Sequence, residues 1–394
     1  MLVIGAGVIG LSIGIALLES NPSLKVIILE KESGLAKHAS GRNSGVLHAG
    51  FYYSPDSLKA RFCRDGNREL RALIRQNGLL LREVGKVVVA QSESEVQRLS
   101  ELAARGISNG VEIELLDASK LKNYEPLAIT NSKFLWSPTT SVADPQAISS
   151  ALANNFLKKG GQIHFEDLCE IKDLNGEIVE IANGYQARHI VNAAGSQADR
   201  IARGVNVGTE FAMLPFMGLY RATSEKNLPL QRLVYPVPHL INPFLGVHFT
   251  LTIDHKVKIG PTAIPILGRE QYSLLQGWSS ADIQDAIRSV IALIRGNSHN
   301  FGSMVKSEWP KIFQQTLVKE SLNLVPSVKN VSSWQRKPPG IRAQLVHLPT
   351  GRLEQDFVVR QHKNATHVLN AVSPGWTSAI PFGRWVAEKV INNL

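Results

Sequence analysis

The sequence predicts a two-part α/β fold: a parallel α/β unit, discontinuous along the chain, with an antiparallel β-sheet and its helices inserted into it. Three observations predict it. A glycine-rich turn, Gly5-Ala6-Gly7-Val8-Ile9-Gly10, joins an apolar strand to a helix at the N-terminus. From Leu214 to Pro265 the text changes to strands rich in proline and aromatics. From Pro339 to Leu394 it returns to strands, a loop of Gly and Pro, and a terminal helix.

The first elements form one βαβ unit. Leu2-Val3-Ile4 is a short strand, Val8 to Glu19 a helix, and Lys25 to Glu30 a continuous apolar strand ending in an acid. Only Met1 to Ile4 precede Gly5, against the ~5 to 6 residues of a usual strand, so the strand is expected to begin upstream of Met1. In this context the glycines permit a tight turn, backbone approach to a pyrophosphate and close helix packing. A cluster of packing glycines is the plain alternative. Against it stands Glu30, placed where an acid accepts hydrogen bonds from a ribose diol. A Rossmann-like dinucleotide unit follows, with FAD and NAD both open at this point, since Lys31 follows the acid. The apolar stretch Met1 to Leu18 lacks a basic flank and a cleavage pattern, so it is not read as a signal peptide. No other run approaches the ~20 apolar residues of a spanning helix.

Ser57 to Gln76 carries Lys59, Arg61, Arg64, Arg68, Arg71 and Arg75 among apolar residues, a helix with one wet face. Gly85 to Ala90 is a strand and Ser92 to Gly106 a helix. Asp144-Pro145 opens a helix through Lys158, and Gln162 to Phe165 is the next strand. Cys169 to Ile171, Ile178 to Ile181 and His189 to Val191 are short strands around a turn at Asn175-Gly176. Leu233 to Pro238 and Gly246 to Thr250 are strands of the inserted sheet, and Ala281 to Lys319 is helical.

With 394 residues, 44% of them hydrophobic and 19% charged, the chain can bury a large core. Its formal net charge of +10 suits anionic small molecules, acidic lipid surfaces or nucleic acid. The cations are scattered rather than blocky and no basic-aromatic RNA motif occurs, which argues against nucleic acid. Cys63 and Cys169 stand alone without CxxC spacing, so no disulfide framework or metal site is implied, and a reducing cytoplasmic setting fits. An HExxH signature is absent from the sequence.

The stretch His38-Ala39-Ser40-Gly41-Arg42-Asn43-Ser44-Gly45-Val46-Leu47-His48-Ala49-Gly50 decides for FAD. It is small, polar and glycine-rich enough for its backbone to lie against a bulky flat ligand, and simple nicotinamide enzymes have no equivalent loop. Here the chain resembles the glycine-oxidase/D-amino-acid-oxidase superfamily of flavoproteins. Gly41 to Gly45 followed by His48-Ala49-Gly50-Phe51-Tyr52-Tyr53 is similar to its L-2-hydroxyglutarate oxidase/dehydrogenase family. Further patches stand in the family's order: Asn192-Ala193-Ala194-Gly195, Tyr235-Pro236-Val237-Pro238, Leu245 to Thr250, Gly260-Pro261, Pro339 to Gln344, Asp356-Phe357 and Asn370 to Ser378. The chain departs from it at Gly375-Trp376, where small residues are usual, and matches less clearly from Asn297 to Leu324.

The resemblance implies an FAD-binding part in residues 1–85, 144–213 and 337–394, and a substrate part in 86–143 and 214–336. It implies FAD contacts at Gly5, Gly7, Gly10, Glu30, Lys31, Ser40, Gly41, Arg42, Asn43, Ser44, Gly45, Ala194, Gly195, Gly340, Pro374, Gly375, Thr377 and Ser378. It also implies oxidation of L-2-hydroxyglutarate to 2-oxoglutarate by hydride transfer from C2, with oxygen or a membrane quinone as final acceptor. Such chemistry needs a base for the hydroxyl proton and cations for the carboxylates of a small dicarboxylate. His248 is the expected base and His48 the residue that orients substrate or touches the flavin, because imidazole titrates nearest neutral pH. A core imidazole bonded to backbone is the plain alternative for each. Arg342, in a Pro-Gly-Ile-Arg turn, is the expected carboxylate clamp, with Tyr53 and Tyr235 as weaker substrate contacts. The expected setting is cytoplasmic, with peripheral contact at the inner face of a membrane left open. Oxidation of an amino acid such as glycine or sarcosine, or of glycerol 3-phosphate, is the alternative on the same fold, and a non-catalytic flavoprotein sensor the alternative from another class.

Overall fold

The computed structural model describes residues 1–394 except 170, 175–177, 182, 239–243, 274, 275, 297–299 and 394. Strand β1 (Leu2–Ile4), helix α1 (Val8–Ser20) and strand β2 (Ile27–Leu29) form the expected βαβ unit. They belong to a six-stranded sheet in the order 358–362, 365–370, 190–192, β1, β2, 162–164. All neighbours are parallel except the edge pair Val358–His362 and Ala365–Asn370. Side chains on α1 are buried almost all round, as a helix covered on every side requires. Leu11, Ile13 and Leu17 are sealed among Phe156, Phe382 and Val386 from helices Pro145–Lys158 and Ala379–Ile391. Each such burial is worth roughly 1.5–3 kcal/mol relative to exposure, which accounts for the apolar N-terminal stretch. Among the described residues no helix is long and apolar enough to cross a membrane.

A second, eight-stranded sheet runs 335–336, 221–224, 256–260, 248–251, 233–236, 86–89, 133–137, 114–117. It is not wholly antiparallel: Leu233–Pro236 pairs with Lys86–Val89 in parallel. The two strands come from well-separated parts of the chain, the long connection that parallel pairing demands. Its core holds Val87, Val88, Phe134, Tyr235 and Phe249. A four-stranded antiparallel sheet runs 264–265, 211–218, 340–347, 352–353, with helix Ser280–Gly296 packed on it.

Three local expectations need correction or comment. Arg342 lies not in a turn but near the start of strand Gly340–His347, opposite Phe216, because the backbone continues straight into an eight-pair ladder with Phe211–Gly218. On helix α2 (Leu58–Gln76), Arg61, Arg64, Arg68 and Arg75 are exposed, but Lys59 is buried. Lys59 opens the helix beside Asp356, whose carboxylate accepts from the Leu58 and Lys59 N–H groups at 2.8 and 3.0 Å. The expected turn at Asn175-Gly176 lies outside the described residues. Cys63 and Cys169 are both buried and form no disulfide with each other.

Candidate active site

One cavity of about 700 Å³ runs from the β1–α1 turn to the eight-stranded sheet, within the roughly 300–1,000 Å³ usual for ligand sites. Its first half is walled by backbone. Gly5 sits at φ +100°, a conformation that favours glycine, and a Cβ on Gly10 would overlap the Gly5 carbonyl. Likewise a Cβ on Gly41 would overlap Ala36, on Gly340 Arg42, and on Gly375 Ala371, each at a backbone carbonyl oxygen. Gly7 caps α1 without a side-chain acceptor, so the helix start presents N–H groups to an anion. The Glu30 carboxylate accepts from Ala6 N at 2.8 Å and Glu32 N at 3.0 Å, fixing the acid at the cavity wall. Ser40 Oγ accepts from Val8 N at 3.0 Å, tying the second loop to the helix.

The expected cofactor residues divide in two. Gly5, Gly7, Glu30, Lys31, Ser40, Arg42, Asn43, Ser44, Ala194, Gly195, Gly340, Pro374, Gly375 and Thr377 line the cavity. Gly10, Gly41, Gly45 and Ser378 stand behind its wall, where the glycines allow close packing. Lys31 Nζ lies between Glu32 at 2.5 Å and Glu270 at 2.9 Å, and these charges hold its ammonium above the usual value against the opposing effect of burial. That ammonium already fills the cluster of Glu32, His38 and Glu270. Arg42 stacks over the Tyr272 ring at 4.1 Å. A wall that side chains would close, with a helix N-terminus and an acid at the end of β2, fits FAD.

The second half is walled by side chains. His248 begins strand His248–Leu251, and its Nδ1 donates to the Gly246 carbonyl at 2.8 Å. That bond sets the tautomer, leaving Nε2 with the lone pair. The ring stacks on Tyr235, centroids 3.8 Å apart. Burial, with the charges of Lys86 and Arg342 and against the Gly246 bond, pushes His248 down to about 3, so it is neutral at physiological pH. Burial also holds His48 well below the ordinary imidazole value, with Lys86, His248 and Arg342 adding to the effect. Its backbone N–H donates to Thr377 Oγ1 at 3.2 Å, while its buried Nδ1 has no partner. Arg342 Nη1 donates to the Thr262 carbonyl at 3.1 Å, and its guanidinium lies 5.6 Å from the Phe244 ring centre. His48, His248, Arg342, Tyr53 and Tyr235 all line this half. Burial raises both tyrosine hydroxyls, keeping them protonated.

Lys86 was missed by sequence reasoning. Fully buried behind the histidines, its Nζ lies 4.9, 4.6 and 4.5 Å from the ring centres of Phe51, Tyr52 and Tyr235. It donates to the Tyr52 hydroxyl at 3.5 Å, and burial pushes it down to about 7. The signal available was a lysine opening the otherwise apolar run Lys86-Val87-Val88-Val89, all four buried. Lys59, pushed by burial down to about 8, also lines the cavity, as do Tyr52, Tyr220, Phe244 and, from helix Glu93–Ser108, Arg98 and Arg105.

A family model of FAD dependent oxidoreductases matches residues 1–389. The L-2-hydroxyglutarate dehydrogenase of Escherichia coli O17:K52:H18 (strain UMN026 / ExPEC) is 36% identical, over 98% of this chain and 92% of that protein. The mitochondrial L-2-hydroxyglutarate dehydrogenase of Homo sapiens is 32% identical, over 99% and 88%. Among solved structures, dithionite-reduced L-α-glycerophosphate oxidase from Mycoplasma pneumoniae with FAD bound superposes with a TM-score of 0.73 at 24% identity, covering 99% of this chain and 94% of that one. Glycine oxidase from Geobacillus kaustophilus gives 0.71 at 18%, covering 100% and 94%. These two carry the fold alone. The chain belongs to the L-2-hydroxyglutarate oxidase/dehydrogenase family of the FAD-dependent oxidoreductases, and it is an enzyme that uses FAD.

Proposed function

We propose that the protein oxidises L-2-hydroxyglutarate to 2-oxoglutarate, the activity named for its relatives. The observation that carries this reading is His248: its Nδ1 is tied to Gly246, its Nε2 is free, and it shares a cavity with Arg342, His48 and the glycine-walled half. Held by that half, FAD supplies the hydride acceptor. Arg342 binds the C1 carboxylate through its planar fork and so orients C2. His248 Nε2 takes the hydroxyl proton, which a neutral imidazole does without prior deprotonation. His48 donates or accepts at the substrate's oxygen and fixes its approach, with Tyr53 and Tyr235 closing the sides. We assign residues 1–85, 144–213 and 337–394 to the cofactor part and 86–143 and 214–336 to the substrate part. Oxygen or a quinone drains the electrons, in the cytoplasm or at the inner face of its membrane.

The test is anaerobic mixing of FAD-loaded protein with L-2-hydroxyglutarate, D-2-hydroxyglutarate, glycine and glycerol 3-phosphate, following flavin absorbance. Bleaching by the L-hydroxy acid alone is expected. Bleaching by glycine or glycerol 3-phosphate and not by the hydroxy acid overturns the substrate; bleaching by none favours a sensor.

A further inference from the structure

Lys86 sits in surroundings that favour its charged form, yet it has no counter-ion. Its side chain is fully buried at the start of strand Lys86–Val89. The ring centres of Phe51, Tyr52 and Tyr235 stand 4.9, 4.6 and 4.5 Å from its Nζ, and aromatic faces attract an ammonium, not a neutral amine. A buried lysine is ordinarily paired with an acid, but among the described residues no carboxylate pairs with this one. The titratable groups around it are His48 and Tyr52 from the loop after strand Val46–Leu47, Cys63 from α2, and Tyr235 and His248 from strands of its own sheet. On its other side the paired residue is Ser137, whose hydroxyl is bonded to Thr140. A desolvated charge without a partner is costly, so burial pushes the amine down to about 7, balanced between its two forms near neutral pH.

The cage also faces the cavity. Tyr52 and Tyr235 line it, although Lys86 does not. Lys86 Nζ reaches the Tyr52 hydroxyl at 3.5 Å, and the Tyr235 ring stacks on His248. In this half Arg342 donates to the Thr262 carbonyl and has no acid partner among the described residues, so it can meet one carboxylate of a dicarboxylate. Lys59 already lies beside Asp356, and Arg98 pairs with Glu95 at 3.4 Å. The second negative charge of a dianion therefore has a waiting partner in Lys86, whose missing counter-ion the ligand supplies.

We propose that Lys86 is a positioning residue that makes the site select dianions: as a dicarboxylate enters, Lys86 takes up a proton through the Tyr52 hydroxyl and adds a second positive charge to that of Arg342. The step balances. The hydroxyl passes its proton to the amine and takes another from solvent in the cavity, so one ammonium forms for each proton that leaves the buffer. This rests on the reading above that the substrate is a dicarboxylate. The test is calorimetry of the oxidised, FAD-loaded protein with glutarate, which has both carboxylates but no hydroxyl to oxidise, and with butyrate, in buffers of different ionisation enthalpy between about pH 6 and about pH 9. Wild type is expected to take up about one proton per glutarate near pH 8, with a Kd that rises up to about tenfold per pH unit above about 7. Butyrate should bind with little uptake. Lys86→Met should bind glutarate about tenfold or more weakly near neutral pH, with no proton uptake and a Kd flat with pH, and should bind butyrate as wild type does. A flavin spectrum like that of wild type shows that the variant is folded. Glutarate that does not bind, glutarate that binds wild type without proton uptake, or Lys86→Met that takes up as many protons as wild type each overturns the proposal. If L-2-hydroxyglutarate still bleaches the flavin in that preparation, the substrate reading stands and the role of Lys86 alone falls. A flavin bleached only by glycine or glycerol 3-phosphate removes both.

Discussion

Along the cofactor half of the cavity, backbone meets backbone: a Cβ at Gly10, Gly41, Gly340 or Gly375 would overlap a carbonyl oxygen. Along the half proposed for substrate the wall is made of His48, His248, Arg342 and Tyr235, delivered by four separate stretches of chain. The first kind of wall has no slack, because an added methyl group there must move main chain. The second can lose one member and keep its shape. Damage to the cofactor half should therefore be all-or-none, and damage to the substrate half graded.

Four substitutions sharpen or break that contrast, from the largest effect down. Gly10→Val should abolish flavin binding, read as flavin absorbance per chain after gel filtration; a variant that keeps its full flavin would show the backbone wall to be yielding. His248→Ala should lower turnover about 10²- to 10⁴-fold while the flavin spectrum stays that of wild type. Equal loss of flavin would show that the two halves are one unit. Arg342→Met should cost about 10- to 100-fold in kcat/KM, the worth of a charged hydrogen bond, mostly through KM. Arg342→Lys should recover only part of it, since the planar fork is lost.

The smallest effect is thermal. Lys86 is pushed down to about 7 from 10.5 when folded, so across that window the unfolded chain holds a proton that the folded chain has released. Stability contributed by this group rises with pH between those values and is lowest below about 7, where the folded protein buries a charge. Lys86→Met removes the charge in both states. Its Tm advantage over wild type should be largest below pH 7 and shrink toward pH 10.5. A constant difference at all pH values would mean that packing alone separates the two.

What could be read from the sequence follows the same division. Gly5, Gly7, Gly10 and Glu30 are local requirements of one turn, so six residues and their flanks announce them. His48 and His248 were legible only through resemblance of the residues around them, since one histidine looks like another until the fold places it. Lys86 was illegible because its meaning comes from Phe51, Tyr52 and Tyr235, two of which are thirty-odd residues upstream and one far downstream. Helix periodicity reads Lys59 as solvated, whereas it is buried beside Asp356, nearly three hundred residues away. The parallel join between Lys86–Val89 and Leu233–Pro236 is equally non-local.

The ladder between Phe211–Gly218 and Gly340–His347 has a consequence for motion. Its eight residue pairs carry Arg342 on one strand, and the Gly340 end abuts the carbonyl of Arg42 in the cofactor wall. Swinging the two halves apart as jaws would tear that seam. Arg105 and Tyr52, which line the same cavity, are joined there, Arg105 Nη1 donating to the Tyr52 carbonyl at 3.0 Å. Rearrangement of such side chains belongs to the timescale of rotamers and loops, faster than the hinged closure of whole domains.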